Sequence, residues 1–423
     1  MELEKSNVIS KSTANRLGKD IRNLIENNQD PSEEQINLLQ NYRTSFKDDL
    51  SVVVSIVSDI AQIGGTDSIT AFRVKRIESI LSKIKREPTM QLGNMGDIAG
   101  CRIILYRDDN INTVISQLQL RFNVLSINDY IKNPKEDGYN GYHVYIESPI
   151  NPKRKLEIQV RTKETHIWSS LVEIIDHVYS LKLKEGEKHE DLQEFLFYLS
   201  RKKKLDITQK QKIINIDKKH EIYSNLFGVF LKNYSRIRLE WLNVTSFEDK
   251  RYFIFEVKTD NTSAIYSFQN YEDAEESYFE LFKKEDKSNF VLAHIEKPKF
   301  KRMCLAYASY VMIHHDYLND WNDIILDLLK LKQINSNENN NNLLEYFKRN
   351  LHDQVKLIEQ EMEEVNKYEQ NADVNLDSLK EWKEEINEKL NLLPRNTVNG
   401  NINKGNKSMS FFDRIMKKIN RSR

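Results

Sequence analysis

The chain is sparing in the residues that mark several classes of protein. Its 423 residues include two cysteines, Cys101 and Cys304, which make neither a disulfide framework nor a zinc site. No stretch approaches the roughly 18 apolar residues of a membrane-spanning helix. The first residues, Met-Glu-Leu-Glu-Lys-Ser, lack the apolar core of a signal peptide. These absences lead us to expect a soluble protein of a reducing, cytoplasmic compartment.

The chain also has no excess charge of either sign, since Lys+Arg and Asp+Glu both number 64. A net charge of zero argues against a protein that coats nucleic acid over its whole surface, although local basic patches remain compatible with it. A chain of this length has room for two or three domains with a substantial core.

What the chain does contain is an ordered run of polar residues between positions 73 and 161. The run has four parts, in this order: the cations Arg73, Lys75, Lys83 and Arg86; the carboxylate Asp97 in Asp97-Ile-Ala-Gly-Cys-Arg102; an aromatic turn in Asp129–His143; and a second carboxylate in Glu157-Ile-Gln159-Val-Arg161-Thr162. Phosphate transfer needs cations for the phosphate tail, a bridging metal, and a group that positions the nucleophile. The order of these residues therefore favours a site for a triphosphate and a metal beside a second nucleotide.

The segment around Glu157 carries the sharpest signal. Polar and apolar residues alternate strictly from Leu156 to Arg161, which predicts a strand over 155–162. Glu157, Gln159 and Arg161 then share one face, opposite an apolar one. A carboxylate in that position is costly unless it is paired or bound to a metal.

Each feature taken alone has a structural explanation. Basic residues usually form a solvated helix face, Asp97 could cap a helix or a turn, and Tyr139 could simply be packed. An ion pair with Arg161 along the strand would account for Glu157.

The hydrophobic pattern divides the chain into six parts. We expect a mixed α+β architecture whose mixed sheet of about four to five strands is flanked by helices, followed by a small α+β domain and a helical hairpin. A helix is predicted to carry Arg73 to Arg86, ahead of the strands. The predicted boundaries are a polar, loosely held helical arm at 1–33, the domain with the polar run at 34–217, a small and regulatory α+β domain at 218–332, an Asn-rich linker at 333–343, a hairpin or coiled coil at 344–395, and a flexible basic tail at 396–423.

Taken together, the motifs at Asp97–Arg102, Asp129–His143 and Glu157–Thr162 resemble the synthetase domain of RelA/SpoT-type alarmone synthetases. The resemblance covers roughly residues 40–200. It implies a nucleotidyltransferase-like fold and a GTP/GDP pyrophosphokinase, which moves the β,γ-pyrophosphate of ATP to the 3′-hydroxyl of GDP or GTP to make (p)ppGpp. It also implies Mg²⁺ as cofactor.

The resemblance assigns a role to each residue of the ATP half. Arg73 and Arg102 would enclose the adenine, Lys75 and Lys83 would hold the phosphates, and Asp97 would bind Mg²⁺.

On the acceptor side, Glu157 would join the metal and activate the hydroxyl, and Tyr139 would stack on guanine. Phosphates and the catalytic carboxylate would be positioned by Lys135, His143, Gln159 and Arg161. Asp137 would touch the acceptor base, although the family often has Asn there, and Asn128 stands where the family commonly has lysine.

These departures keep the acceptor open. Toxic relatives of the family pyrophosphorylate adenosine nucleotides or the tRNA 3′ end, and several are restrained by a neighbouring or fused domain. The basic run at 201–204 and the long C-terminal extension are compatible with that alternative, with the C-terminal half as regulator. A nucleotide-sensing module without catalysis is a third alternative. The segment 344–392 is a candidate for homo-oligomerisation.

Overall fold

The computed structural model describes residues 9–65, 68–135, 137–245, 250–283, 289–295, 299–313, 316–334, 339–368 and 373–393. The predicted tail at 396–423 lies outside these residues.

The strands are β1 Ile69–Val74, β2 Ala99–Leu105, β3 Val124–Asp129, β4 Tyr142–Glu147, β5 Lys155–Thr162, β6 Tyr252–Val257, β7 Ser263–Phe268 and β8 Asn289–His294. The first helices are α1 Lys11–Glu26, α2 Glu33–Thr44, α3 Lys47–Ile63, α4 Ile77–Arg86, α5 Ile111–Arg121, α6 Lys163–Val178, α7 Glu190–Leu199 and α8 Ile207–His220. The remainder are α9 Ile222–Thr245, α10 Tyr271–Lys283, α11 Phe300–Ala306, α12 Ala308–Val311, α13 Tyr317–Ile334, α14 Asn339–Tyr368 and α15 Asp373–Leu392.

The strands form one mixed sheet in the order β3-β4-β5-β2-β1-β8-β6-β7. Strand β2 pairs with β5 in parallel, and β1 with β2 and β4 with β5 are antiparallel. Helices α1 to α5 contribute to the core that covers β2, β4 and β5. The predicted mixed sheet flanked by helices is confirmed, and β5 occupies the residues that the alternation indicated.

The segment that begins at Arg73 differs from the prediction. Arg73 lies on strand β1, opposite Gly100 of β2, and the helix begins only at Ile77. Ile69-Thr-Ala-Phe-Arg-Val74 is rich in β-branched and aromatic residues, which favour a strand paired on both sides. The helical spacing of Ile77, Ile80 and Ile84, all buried, accounts for α4.

The N-terminal segment is not a loosely held arm. Ala14, Leu17 and Ile21 of α1 are buried in the main core, and the Arg22 guanidinium donates to the carbonyl oxygen of Ile84 at 3.2 Å. The segment is polar overall, but its apolar residues share one face of α1. Such a narrow apolar stripe is enough to hold a helix against the core.

The chain divides into two compact units, and the division differs from the predicted boundaries. One unit comprises residues 1–175 and 240–311, and the other comprises 176–239 and 312–423. The strands at 252–294 are not a separate small domain, because β8 pairs with β1 and continues the sheet. The predicted small domain was wrong because the sequence pattern carried no information on which edge of the sheet would be paired.

In the second unit, α14 and α15 pack against each other. Leu351, Ile358 and Val365, which recur every seven residues along α14, are buried. Helix α14 already begins at Asn339, so the predicted linker ends earlier than 343. These residues belong to the segment 344–392, which was a candidate for homo-oligomerisation. Because they are buried within this unit, their apolar pattern alone does not require a second copy of the chain.

A buried carboxylate joins four helices of this unit. Asp217 of α8 accepts hydrogen bonds from Trp321 Nε1 at 2.7 Å, Tyr346 Oη at 2.8 Å, Tyr317 Oη at 3.2 Å and the backbone N–H of Tyr223 at 2.8 Å. Burial raises the pKa of Asp217 above its ordinary value, and the four donors oppose that rise. Removing the carboxylate would therefore leave several buried donors without an acceptor.

We expect Asp217→Ala to lower the free energy of unfolding by about 1–3 kcal/mol, the usual cost of leaving buried polar groups unsatisfied. Urea unfolding followed by circular dichroism measures this change. The control is Asp327→Asn, which removes a salt bridge to Lys210 on a partly exposed side chain and should cost about 0–1 kcal/mol. Equal effects of the two substitutions would contradict the role given to Asp217.

Candidate active site

The pairing of β2, β4 and β5 places the predicted polar residues in two adjacent rows of the sheet. Glu157 lies opposite Gly100 on one side and Tyr145 on the other. In the next row, Gln159 lies between Arg102 and His143. Residues in register on neighbouring strands point to the same face, so these side chains converge. The opposite face of β5, with Leu156, Ile158 and Val160, is fully buried in the core.

Gly100 permits the close approach of β2 to β5. A Cβ atom at this position would lie 2.4 Å from the carbonyl oxygen of Glu157, which no side chain can tolerate without moving a backbone. A glycine in the strand is therefore explained by the proximity of another backbone.

Glu157 is buried and has three polar partners. Its carboxylate accepts from Tyr145 Oη at 2.9 Å, from Gln159 Nε2 at 2.8 Å and from His143 Nδ1 at 2.8 Å. Burial acts to raise the pKa of Glu157, but the hydrogen bonds and the charge interaction with His143 outweigh it, so the pKa is held below its ordinary value. Glu157 is thus an anion throughout the physiological range.

The ion pair suggested between Glu157 and Arg161 is replaced by a different arrangement. The guanidinium of Arg161 lies over the ring of Tyr139, 5.2 Å from its centroid. Tyr139 in turn contacts His143 Nε2 through its hydroxyl at 2.7 Å. Through its two ring nitrogens, His143 therefore links the Tyr139 hydroxyl to the Glu157 carboxylate in one chain of hydrogen bonds.

The second carboxylate lies among the predicted phosphate ligands. Asp97, just before β2, is 3.1 Å from Lys75 Nζ and 3.0 Å from Lys83 Nζ. A backbone hydrogen bond from Lys75 N–H to the Ile98 oxygen, 2.7 Å, holds the two segments together. The hydroxyl of Tyr145 interacts electrostatically with both Asp97 and Glu157, which raises its pKa after the larger effect of burial. Arg86 lies at the end of α4, half exposed, beside Glu87.

The turn before β4 is built as expected, but its aromatic ring is not presented to solvent. Asp137 Oδ1 accepts from the backbone N–H of Tyr139 at 2.9 Å, and Gly138 has a φ of 95°, which favours glycine. The ring of Tyr139 is only 7 % exposed, and Lys135 Nζ lies 5.3 Å from its centroid. Stacking on a base would require this ring to be uncovered, so that role stays a prediction.

The donor side is only partly described. Arg73 has its backbone on β1, but its side chain lies outside the described residues. Arg102 Nε donates to Gln159 Oε1 at 3.4 Å, which joins the predicted adenine site to the row of Gln159 and His143.

A small cavity adjoins Arg102 and Arg161. Its remaining lining comprises His166, Ser170 and Glu173 of α6 and the segment Ala306–Tyr310. The cavity measures about 20 Å³, which is room for about one water molecule. Burial and the charges of Arg102 and Arg161 lower the pKa of His166 well below its ordinary value, so this imidazole is neutral.

Two groups of this site were missed at the level of sequence. Tyr145 has no predicted role, although its place two residues after His143 on a strand puts both on one face. Glu173 of α6 likewise has no predicted role. Trp168, on the same helix, lies 6.4 Å from the ring of Tyr139.

The carboxylates suit a magnesium ion that also binds phosphate. Within the described parts of the chain, no group of three or more His, Cys, Asp or Glu side chains is placed to hold a metal. Mg²⁺ commonly binds through one or two carboxylates together with substrate phosphates, so Asp97 and Glu157 fit such an ion. Their oxygens now face Lys75, Lys83 and His143, groups that phosphate could engage in exchange.

Comparison with known proteins agrees with this geometry. The family described as "Region found in RelA / SpoT proteins" matches residues 72–185, which include the second half of β1, all of β2 to β5 and most site residues. Residues 72–185 are a RelA/SpoT region. GTP pyrophosphokinase YjbM of Bacillus subtilis is 36% identical to the chain over 125 residues, and GTP pyrophosphokinase YwaC of the same organism is 36% identical over 114 residues.

The RelA/SpoT region accounts for a minority of the chain. The two alignments cover 27% and 24% of this chain, and 59% and 54% of YjbM and YwaC. The chain therefore spans somewhat over half the length of these relatives.

Solved structures include the small alarmone synthetase 1 of Bacillus subtilis bound to pppGpp, with a TM-score of 0.35 and 23% identity over 44% of this chain and 97% of that one. Small alarmone synthetase 2 of the same organism has a TM-score of 0.32 and 27% identity, over 43% of this chain and 98% of that one. TM-scores this low carry no argument beyond the sequence match to the RelA/SpoT region.

No helix among the described residues is both long enough and apolar enough to cross a bilayer.

We expect Gly100→Ala to abolish the site, because the added methyl group would force β2 away from the backbone of Glu157. The expected result is a loss of several kcal/mol in the free energy of unfolding, as for other overpacked positions. The matched control is Gly228→Ala in α9, where a Cβ atom meets nothing within 4 Å and helix propensity favours alanine by about 1 kcal/mol. Thermal unfolding of both variants measures the difference, and a wild-type midpoint for Gly100→Ala would refute the close approach.

Proposed function

We propose that the protein transfers the β,γ-pyrophosphate of ATP to the 3′-hydroxyl of GDP or GTP. The observation that carries this proposal is the arrangement of one face of the sheet, where Glu157 is buried yet ionised and Asp97 lies beside Lys75 and Lys83. The sequence similarity of this region to GTP pyrophosphokinases supports it.

In this reaction the acceptor 3′-oxygen attacks the β-phosphorus of ATP. The bond from that phosphorus to the α,β-bridging oxygen breaks, AMP leaves, and the hydroxyl proton passes to a base. Charge neutralisation and positioning supply most of the rate in such transfers. Lys75 and Lys83 would neutralise the phosphate tail, and Asp97 and Glu157 would hold a Mg²⁺ ion that supplies further positive charge.

Glu157 is better suited to positioning than to strong proton abstraction in this conformation. Its lowered pKa makes it a weak base, and its three hydrogen bonds fix its orientation. Entry of the acceptor hydroxyl in place of His143 would remove the interaction that lowers the pKa of Glu157 most, and would therefore raise the basicity of this carboxylate.

The acceptor is assigned to guanosine nucleotides rather than tRNA. Asp137 uses one oxygen to close the turn before Tyr139, as an Asn would, so this difference from the family leaves the turn intact. In the basic run at 201–204, Lys202 is bound to Asp320 at 2.8 Å, which leaves less positive charge for a polyanion.

We expect purified protein to move label from γ-³²P-ATP to GDP or GTP in the presence of Mg²⁺, because the terminal pyrophosphate moves as a unit. Glu157→Gln should reduce transfer by at least about 100-fold, the scale of a lost positioned catalytic group. A control, Glu147→Gln, changes a carboxylate at the end of β4 whose described partner is Asn123.

Parallel reactions with AMP, ADP, ATP and bulk tRNA identify the acceptor. Label on tRNA or on an adenosine nucleotide alone would replace the guanosine acceptor. Transfer that persists undiminished in Glu157→Gln would remove Glu157 from the reaction.

The C-terminal part of the same unit is proposed to regulate this site. The carbonyl oxygen of Leu305 accepts from His166 Nε2 at 2.7 Å, and Ser309 Oγ donates to Glu173 at 2.6 Å. The segment 305–310 therefore lies against α6 beside Arg102, and the cavity left there is far below the roughly 300–1,000 Å³ of ligand pockets. In this state the segment restricts access to the donor-base side of the site.

We expect Ser309→Asp to raise transfer at subsaturating ATP by about tenfold or more, because a carboxylate opposite Glu173 would repel the segment from α6. Ser309→Thr keeps the hydroxyl donor and should behave like the wild type. The initial rate as a function of ATP concentration separates the two. Unchanged or lower activity of a folded Ser309→Asp protein would exclude a restraining role for the segment.

A further inference from the structure

Three polar residues of α6 form one stripe toward the cavity beside Arg102. His166, Ser170 and Glu173 are spaced i, i+4 and i+7, which places them on the same helix face. All three line the cavity together with Arg102. A polar stripe buried at this place needs partners, and the segment 305–310 supplies two of them.

The stripe offers hydrogen-bond acceptors. The carboxylate of Glu173 accepts a hydrogen bond from the Ser309 hydroxyl. Because His166 donates Nε2–H to the Leu305 carbonyl, its neutral ring carries a lone pair on Nδ1, and this buried atom has no hydrogen-bond partner in the structure. An occupant that replaced the segment would therefore be matched best by a donor.

We propose that Glu173 determines the donor base by accepting a hydrogen bond from the exocyclic amine at C6 of adenine, in the place now taken by the Ser309 hydroxyl. This inference rests on the proposed function and on the role of Arg102 at the adenine that the resemblance implies. Adenine carries an amine at C6, whereas guanine and hypoxanthine carry a carbonyl oxygen. A carboxylate accepts from the amine and repels the carbonyl.

The discrimination has a clear use in the proposed reaction. One purine triphosphate is the donor and another purine nucleotide is the acceptor, so the donor side must reject guanine. Stacking on arginine side chains cannot do this, because every purine presents a similar face. An edge contact can, since a site that hydrogen-bonds one group strongly rejects the analogue that lacks it.

The test compares binding of the α,β-methylene analogues of ATP and ITP by calorimetry, in the full-length Ser309→Asp protein, in which we expect the segment 305–310 to leave the stripe. The expected result is a preference of at least about tenfold for the adenine analogue. In Ser309→Asp/Glu173→Gln the preference should fall to about threefold or less, because an amide offers both a donor and an acceptor. Ser309→Asp/Ser170→Ala is the matched control on the same stripe and should keep the preference.

Each outcome bears on a different claim. A preference that survives Glu173→Gln overturns the assignment of Glu173, and so does equal binding of both analogues before that change. If label transfer from ATP to GDP occurs in these same proteins, the proposed function stands whatever Glu173 does. Absence of binding by either analogue, together with absence of transfer, overturns both.

Discussion

The parallel pairing of β2 with β5 at Gly100 is the constraint on which the site depends. It brings the backbone of Glu157 so near β2 that only glycine fits, and it sets Arg102 beside Gln159 in the next row. Because side chains in register share a face, a slip of one residue would send Glu157 and Gln159 into the apolar core. The close backbone pairing of β2 with β5 therefore determines which side chains meet on the polar face of the sheet.

The charged groups of this face are already paired with one another. Asp97 is matched by Lys75 and Lys83, and Glu157 by His143, Tyr145 and Gln159. Loss of one partner would leave a costly unpaired charge, so each of these groups depends on the others. Binding of phosphate and metal then exchanges one set of partners for another, which is less costly than desolvating free charges.

Much of the site could be predicted from sequence because its residues lie on regular strands. Strict alternation located β5 and its polar face, and the order of motifs identified the family. Arg73 was wrongly placed on a helix, since the helical spacing that starts at Ile77 was extended backwards over residues that form β1. The partners of Glu157 and the burial of Tyr139 depend on contacts between strands, which no local pattern encodes. The continuation of the sheet through β8 depends on pairing across more than 200 residues.

That long-range pairing also sets a time order on the ribosome. Strands β1 to β5 are complete once Thr162 has been made, whereas β8 follows roughly 130 residues later, on the order of 10 s at usual rates of synthesis. During that interval the edge of β1 has no neighbour, and the segment 305–310 does not yet exist. A nascent chain would therefore pass through a period in which its nucleotide-facing sheet is assembled but uncovered, and an open β edge is prone to pair with other chains. The sooner β8 pairs with β1, the shorter is the time in which the new chain can pair with other chains and in which its sheet lacks the restraining segment.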